Sequence, residues 1–119
     1  MTLSLVNLAS EIDFPARWKF KDGISSGVEL VIEIGFDGTP AQIAAWIEAV
    51  ERMLATAGQN YGLPGEDVVY LHSEEGGETW RTPVESGTVE TIRARSASTG
   101  SQGLLMTLKR ADYWELTTL

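Results

Sequence analysis

The period of the apolar residues changes once within residues 28–59, and a chain with that change in its middle has to combine a sheet with a helix. Val28, Leu30, Ile32, Ile34 and Phe36 recur at every second position, which puts them on one face of a half-buried strand, with Glu29, Glu33 and Asp37 on the other. Asp37-Gly38 closes that pattern as a turn. Thr39-Pro40-Ala41-Gln42 then opens a helix: Thr39 is the N-cap, Pro40 loses no needed donor in the first turn, and Gln42 completes a capping box. Ile43, Ile47, Val50, Leu54 and Ala57 follow at helical spacing, with Trp46 and Met53 widening the stripe and Glu48, Glu51 and Arg52 off it. Gly58 is the expected end, so the helix would span residues 40–58, about 28 Å at the standard rise per residue. Its stripe has to lie across a sheet.

Strand patterns flank this unit on both sides. Leu3 and Leu5 alternate with Ser4 and Val6 in a first strand of modest apolar character, expected at a sheet edge. After an acidic link at residues 11–13, Ala16, Trp18 and Phe20 alternate with Arg17, Lys19 and Lys21, with Pro15 at the start of the strand. Asp22-Gly23 and Ser25-Ser26-Gly27 supply the turn that makes this strand an antiparallel neighbour of the next. Beyond the helix, a loop with Pro64-Gly65 leads to strand pattern at residues 68–71, and further runs follow at 79–84, 88–95 and 104–109. Glu85-Ser86-Gly87 reads as a turn between two of these, and residues 96–103 as a flexible hairpin tip. No internal repeat is present. Residues 1–119 therefore read as a single α+β domain: an antiparallel sheet or small β-sandwich of about six or seven strands with one helix packed on it.

Charge and composition exclude several functions. Nine Lys and Arg against 17 Asp and Glu leave a net charge of −8, which repels a phosphate backbone and provides no basic stripe for one to follow. Sequence-specific nucleic-acid binding and membrane association are not expected. With no cysteine there is no disulfide framework, thiolate nucleophile or Cys-type metal site, which fits assembly in the cytoplasm. Residues 1–8 lack the basic start and apolar core of a signal peptide, and no run reaches the roughly 18 apolar residues of a membrane span.

The sharpest local motif is Ser73-Glu74-Glu75-Gly76-Gly77-Glu78-Thr79-Trp80. It resembles the Asp-box of sialidases and related propellers, S-x-D-x-G-x-T-W, with Glu75 where that family has Asp. The resemblance implies a structural hairpin turn with the Trp packed beneath it, and one box in a chain of this length is far from a propeller. Read from the residues alone, Gly76 and Gly77 supply positive φ to a hairpin, and Trp80 packs in a core.

No constellation carries catalysis. Glu74, Glu75 and Glu78 share one turn, and no motif brings a second carboxylate to them. His72 is the only histidine, expected as a half-exposed strand residue, and no triad or zinc spacing accompanies it. Neither G-x-x-x-x-G-K-[ST] nor a G-x-G-x-x-G after a strand occurs. Trp18, Trp46, Trp80 and Trp114 are expected to pack in the core rather than to form a sugar-stacking platform. No catalytic, cofactor-binding or metal-ligating residue is predicted, and no cofactor.

The order of elements carries a second resemblance. An alternating strand at 28–36, a capped helix at 43–54, Thr79-Trp80-Arg81, the turn in Val84-Glu85-Ser86-Gly87-Thr88-Val89, and residues 104–110 leading to Tyr113-Trp114-Glu115 together resemble the amino-terminal domain of prophage distal tail proteins. The likeness spans residues 19–115. It implies a tail-tube-like fold, a β-sandwich or partial barrel flanked by one helix, assembled as a ring with strands lining or closing the tube. It transfers no catalytic residues. Members of that family commonly continue into a second β-rich domain, whereas this sequence stops at Leu119. The function implied is a structural, self-assembling subunit of a phage-tail-like or prophage-derived particle. Its partners would be copies of itself and other tail-like proteins, and it would be cytoplasmic before assembly and part of the particle after it. The alternative is a carbohydrate- or ligand-binding β module built on the turn at residues 73–80, which predicts at least two tryptophans exposed side by side. An enzyme would instead need a pocket holding His72 or two converging acids.

Overall fold

The computed structural model describes residues 2–8, 10–20, 29–62, 68–91 and 101–117. In chain order the elements are β1 (Thr2–Val6), β2 (Glu11–Asp13), β3 (Arg17–Phe20), β4 (Glu29–Asp37), α1 (Pro40–Asn60), β5 (Tyr70–Glu75), β6 (Glu78–Thr91), β7 (Ser101–Arg110) and β8 (Glu115–Leu116). All pairings are antiparallel, in the order β2-β1-β5-β6-β7-β4-β3, with β8 paired to β6. The architecture is the expected α+β sheet with a helix packed on it, and the described residues form one helix and eight strands where six or seven strands were expected. The expected turns at residues 22–27 and 64–65, Lys21, Val28, residues 92–95 of the predicted run and the tip at 96–100 lie outside the described residues.

Three local expectations are corrected. Residues 11–13 form strand β2 against β1, and β1 is consequently interior, held between β2 and β5, not an edge. Residues 101–103 belong to β7 rather than to a hairpin tip. Glu85-Ser86-Gly87 is not a turn: the two runs on either side of it form one strand, β6, with a register shift between Val84 and Ser86. A bulge of this kind bends a strand and increases its twist. The bend lets β6 serve two half-sheets, pairing with β5 and β8 through its first part and with β7 through its second.

Both half-sheets close on one core. Leu3, Leu5, Val69 and Leu71 come from the first, and Leu30, Ile32, Ile34, Leu104, Met106 and Leu108 from the second. Register builds the second set: Leu30 lies opposite Leu108, Ile32 opposite Met106 and Ile34 opposite Leu104, so the two-residue period is in phase across β4 and β7. Trp18 and Phe20 of β3 extend that face, opposite Ile34 and Ile32.

The helix covers this core with Val50, Met53, Leu54 and Ala57, while Trp46 and Ile47 are half-buried at its rim. Its start is as read from the sequence. Thr39 Oγ1 accepts from the Gln42 backbone N–H at 3.2 Å, and Gln42 Oε1 accepts from the Thr39 N–H at 2.9 Å, which satisfies two donors that a helix start leaves open. Its end is two residues later than expected. Tyr61 is the C-cap, donating its N–H to the Ala57 carbonyl at 3.0 Å, and Gly62 behind it takes φ 78°. The left-handed glycine that follows a helix is thus Gly62, while Gly58 stays helical.

Candidate functional site

The Glu75-Gly76-Gly77-Glu78 turn joins β5 to β6 as a tight hairpin, with Gly76 at φ 60° and Gly77 at φ 84° and Glu75 paired to Glu78. Two consecutive positive φ values suit the right-handed twist of the flanking strands, and glycine adopts them without a Cβ clash. This hairpin fixes which side chains meet on the outer face of the first half-sheet. One cross-strand row runs Glu115, Arg81, His72, Ser4, Asp13 through β8, β6, β5, β1 and β2.

Arg81 is held on two sides in that row. Its Nε donates to Glu115 Oε1 at 2.7 Å, and its guanidinium lies 4.1 Å from the centroid of the Tyr70 ring. The ion pair is partly open to water and contributes at most about 1 kcal/mol, and the ring contact adds a similar amount. Next to it, His72 is half-buried with its ring edge-on to Tyr70 at 6.4 Å. Burial first and the Arg81 charge second hold its pKa below the ordinary imidazole value, with Glu11 pulling the other way.

On the far side of His72 an open groove of about 590 Å³ is lined by Ser4, Glu11, Asp13, His72, Glu74 and Thr79, among others. It thus gathers the lone histidine and three acids from β2 and β5, the arrangement that an enzyme reading requires. Among the described residues His72 makes no hydrogen bond to those carboxylates, and of the three only Glu11 acts on its charge, raising its pKa against the larger effects of burial and Arg81. Nor do three His, Asp or Glu side chains converge tightly enough to hold a metal ion among the described residues. The groove can present acceptors and hydroxyls to a polar ligand. Sequence reasoning missed it because residues 11–13 read as a link, and only their pairing with β1 carries Glu11 and Asp13 towards His72.

The tryptophans divide three to one. Trp18 packs edge-on to Phe20 at 5.2 Å, and Trp114 lies under Arg110 at 5.4 Å. Trp46 contacts Phe36 at 5.5 Å and Phe14 at 6.1 Å and donates its Nε1–H to the Asp13 carbonyl at 3.0 Å. All three pack against the core, as expected. Trp80 does not: it is 38% exposed, so the Asp-box-like turn lacks the buried Trp that its resemblance implies. Leu116 lies directly opposite Trp80 and is 45% exposed, and Tyr113 just before β8 is 53% exposed. The exposed side chain opposite Trp80 is therefore a leucine, not a second tryptophan.

The remaining large exposed apolar side chain among the described residues is Leu8, 69% exposed in the turn between β1 and β2. That turn is closed by the Asn7 N–H donating to the Ser10 carbonyl at 3.0 Å and by the Ser10 N–H donating to Asn7 Oδ1 at 2.9 Å. No helix in the described residues is long and apolar enough to cross a membrane. Comparison with known proteins found no matching family model, no matching curated protein and no matching solved structure.

Proposed function

We propose that this chain is a structural, self-assembling subunit of a phage-tail-like or prophage-derived particle and performs no catalysis. The observation that carries the reading is the placement of the exposed apolar side chains: Leu116 lies on the end strand β8 with Trp80 opposite it on β6 and Tyr113 just before it in the chain, and Leu8 lies in the turn that leads into the other end strand, β2. Exposed strand edges flanked by large apolar side chains are pairing surfaces, and soluble monomers usually blunt them. The tail-like part rests on the order of elements, from the capped helix through the Trp80 hairpin to Tyr113-Trp114-Glu115. Its partners are further copies and other tail-like proteins, met in the cytoplasm and kept in the particle.

Light scattering behind a sizing column, over a concentration series, tests this. A discrete oligomer several times 13.0 kDa is expected, and a 13.0 kDa monomer at every concentration overturns it. The groove beside His72 favours a second reading, a carbohydrate- or ligand-binding β module. That reading predicts a monomer whose His72 and Thr79 NMR signals shift on titration with a sugar.

A further inference from the structure

Asp37 and Gly38 connect the last position of β4 to the cap of α1. In an Asp-Gly link the aspartate cyclises readily, because glycine has no Cβ to hinder the attacking backbone nitrogen. The capping box accounts for the glycine. A Cβ on Gly38 would lie 2.9 Å from Gln42 Oε1, the atom that accepts from the Thr39 N–H, and 3.2 Å from Cε1 of the Phe36 ring. The link is open to water, since the Asp37 side chain is 64% exposed. Its carboxylate is nevertheless held at both oxygens: Arg17 Nη2 donates to Oδ1 at 2.6 Å and Arg17 Nε to Oδ2 at 3.2 Å. A second glycine makes room for that grip. Arg17 lies opposite Gly35 on β4, and a Cβ on Gly35 would be 3.0 Å from the Arg17 Cζ. We propose that Asp37-Gly38 is a site of spontaneous isoaspartate formation, and that Arg17, seated over Gly35, is the positioning residue that restrains it.

The reaction needs only water. The Gly38 nitrogen bonds to Asp37 Cγ and closes a five-membered succinimide, while a carboxylate oxygen leaves as water with the amide proton and one proton from solvent. Water then opens the ring. Breaking the bond from nitrogen to Cγ returns aspartate; breaking the bond from nitrogen to the backbone carbonyl carbon leaves isoaspartate, with the chain running through the side chain and the backbone carboxylate free. Arg17 opposes the first step in two ways. It keeps the carboxylate ionised, which makes Cγ a poor electrophile, and it turns both oxygens towards β3, away from the geometry of attack. The product would be felt at once by the fold. Isoaspartate adds one carbon to the main chain between Phe36, packed on Trp46 at 5.5 Å, and the Thr39 cap.

The test is ageing at neutral pH and physiological temperature, followed by peptide mapping with electron-transfer fragmentation, which separates isoaspartate from aspartate and localises it to residue 37. The unmodified protein should accumulate isoaspartate there more slowly than the same chain unfolded in guanidinium chloride. Arg17→Gln should speed accumulation roughly tenfold over the unmodified protein. Lys19→Gln is the control, since it removes the other ion pair between β3 and β4 without touching Asp37, and its rate should match the unmodified protein. Arg17 is 60% exposed, and matching thermal melts establish that both variants fold. An Arg17→Gln rate equal to that of the unmodified protein overturns the proposal, as does equal acceleration in Lys19→Gln, which would assign the protection to the docking of β3. A folded, unmodified protein that isomerises as fast as the unfolded chain overturns it without recourse to any variant.

Discussion

Arg81 and His72 sit side by side on the outer face and have opposite prospects on acidification. Arg81 keeps its charge at any relevant pH and is balanced by Glu115 at 2.7 Å. His72 is neutral in the folded chain because burial and Arg81 both oppose its proton, so its folded pKa lies below the 6.5 of an unperturbed imidazole. The unfolded chain therefore binds the proton first. His72 contributes its full stability above pH 6.5, loses it as the pH falls from there through the folded pKa, and contributes no further change below that. Urea melts at steps between about pH 7.5 and about pH 5 should show stability falling, with a smaller fall in His72→Gln. Equal slopes in the two proteins would mean that the carboxylates alone set the dependence. The sequence showed a lone strand histidine. It did not show Arg81 opposite it or Glu11 two strands away, because cross-strand neighbours depend on register, and β2 had no pattern long enough to be recognised.

At the scale of elements, long patterns were legible and short or interrupted ones were not. The β4 alternation and the Thr39 capping box reflect interactions between near neighbours in sequence, and both appear where expected. β6 failed for a tertiary reason. Glu85-Ser86-Gly87 has turn composition, yet Gly87 lies in a strand opposite Leu108, under the helix. A Cβ there would sit 2.7 Å from Leu108 Cδ2, 2.9 Å from the Thr107 carbonyl oxygen and 3.2 Å from Leu54 Cδ2. Glycine is thus needed for the close approach of α1 and β7, not for a reversal of the chain. Gly87→Ala should cost about 1–3 kcal/mol, since the Thr107 carbonyl belongs to the sheet and cannot yield as a side-chain tip can. Gly58→Ala is the control. Its Cβ would meet only the Glu85 carbonyl oxygen at 3.7 Å, an ordinary contact, and alanine favours the helix. Denaturant titration should place the Gly87 variant well below the unmodified protein and the Gly58 variant at or above it. If Gly87→Ala were neutral, the helix would not press on β6 as described.

For the whole molecule, the same excess of acid that argues against nucleic-acid binding also bears on how copies meet. Each copy carries −8, and the exposed apolar groups of the first half-sheet have acids beside them in sequence, Glu11 near Leu8 and Glu115 next to Leu116. Arg81, the cation paired across β6 and β8, is already engaged by Glu115. Coulomb forces therefore oppose this association, and burial of Leu8, Trp80, Tyr113 and Leu116 has to outweigh them. Raising sodium chloride from about 10 mM to about 150 mM shortens the screening length from about 30 Å to about 8 Å, which removes most of the repulsion between exposed charges and leaves the apolar term in place. Sedimentation velocity should accordingly show the oligomer strengthening with salt. A contact built on ion pairs would respond in the opposite sense. Arg17 and Lys19 of β3 lie at the other end of the sheet, each paired to an acid of β4, so weakening with salt would point to an interface at that end.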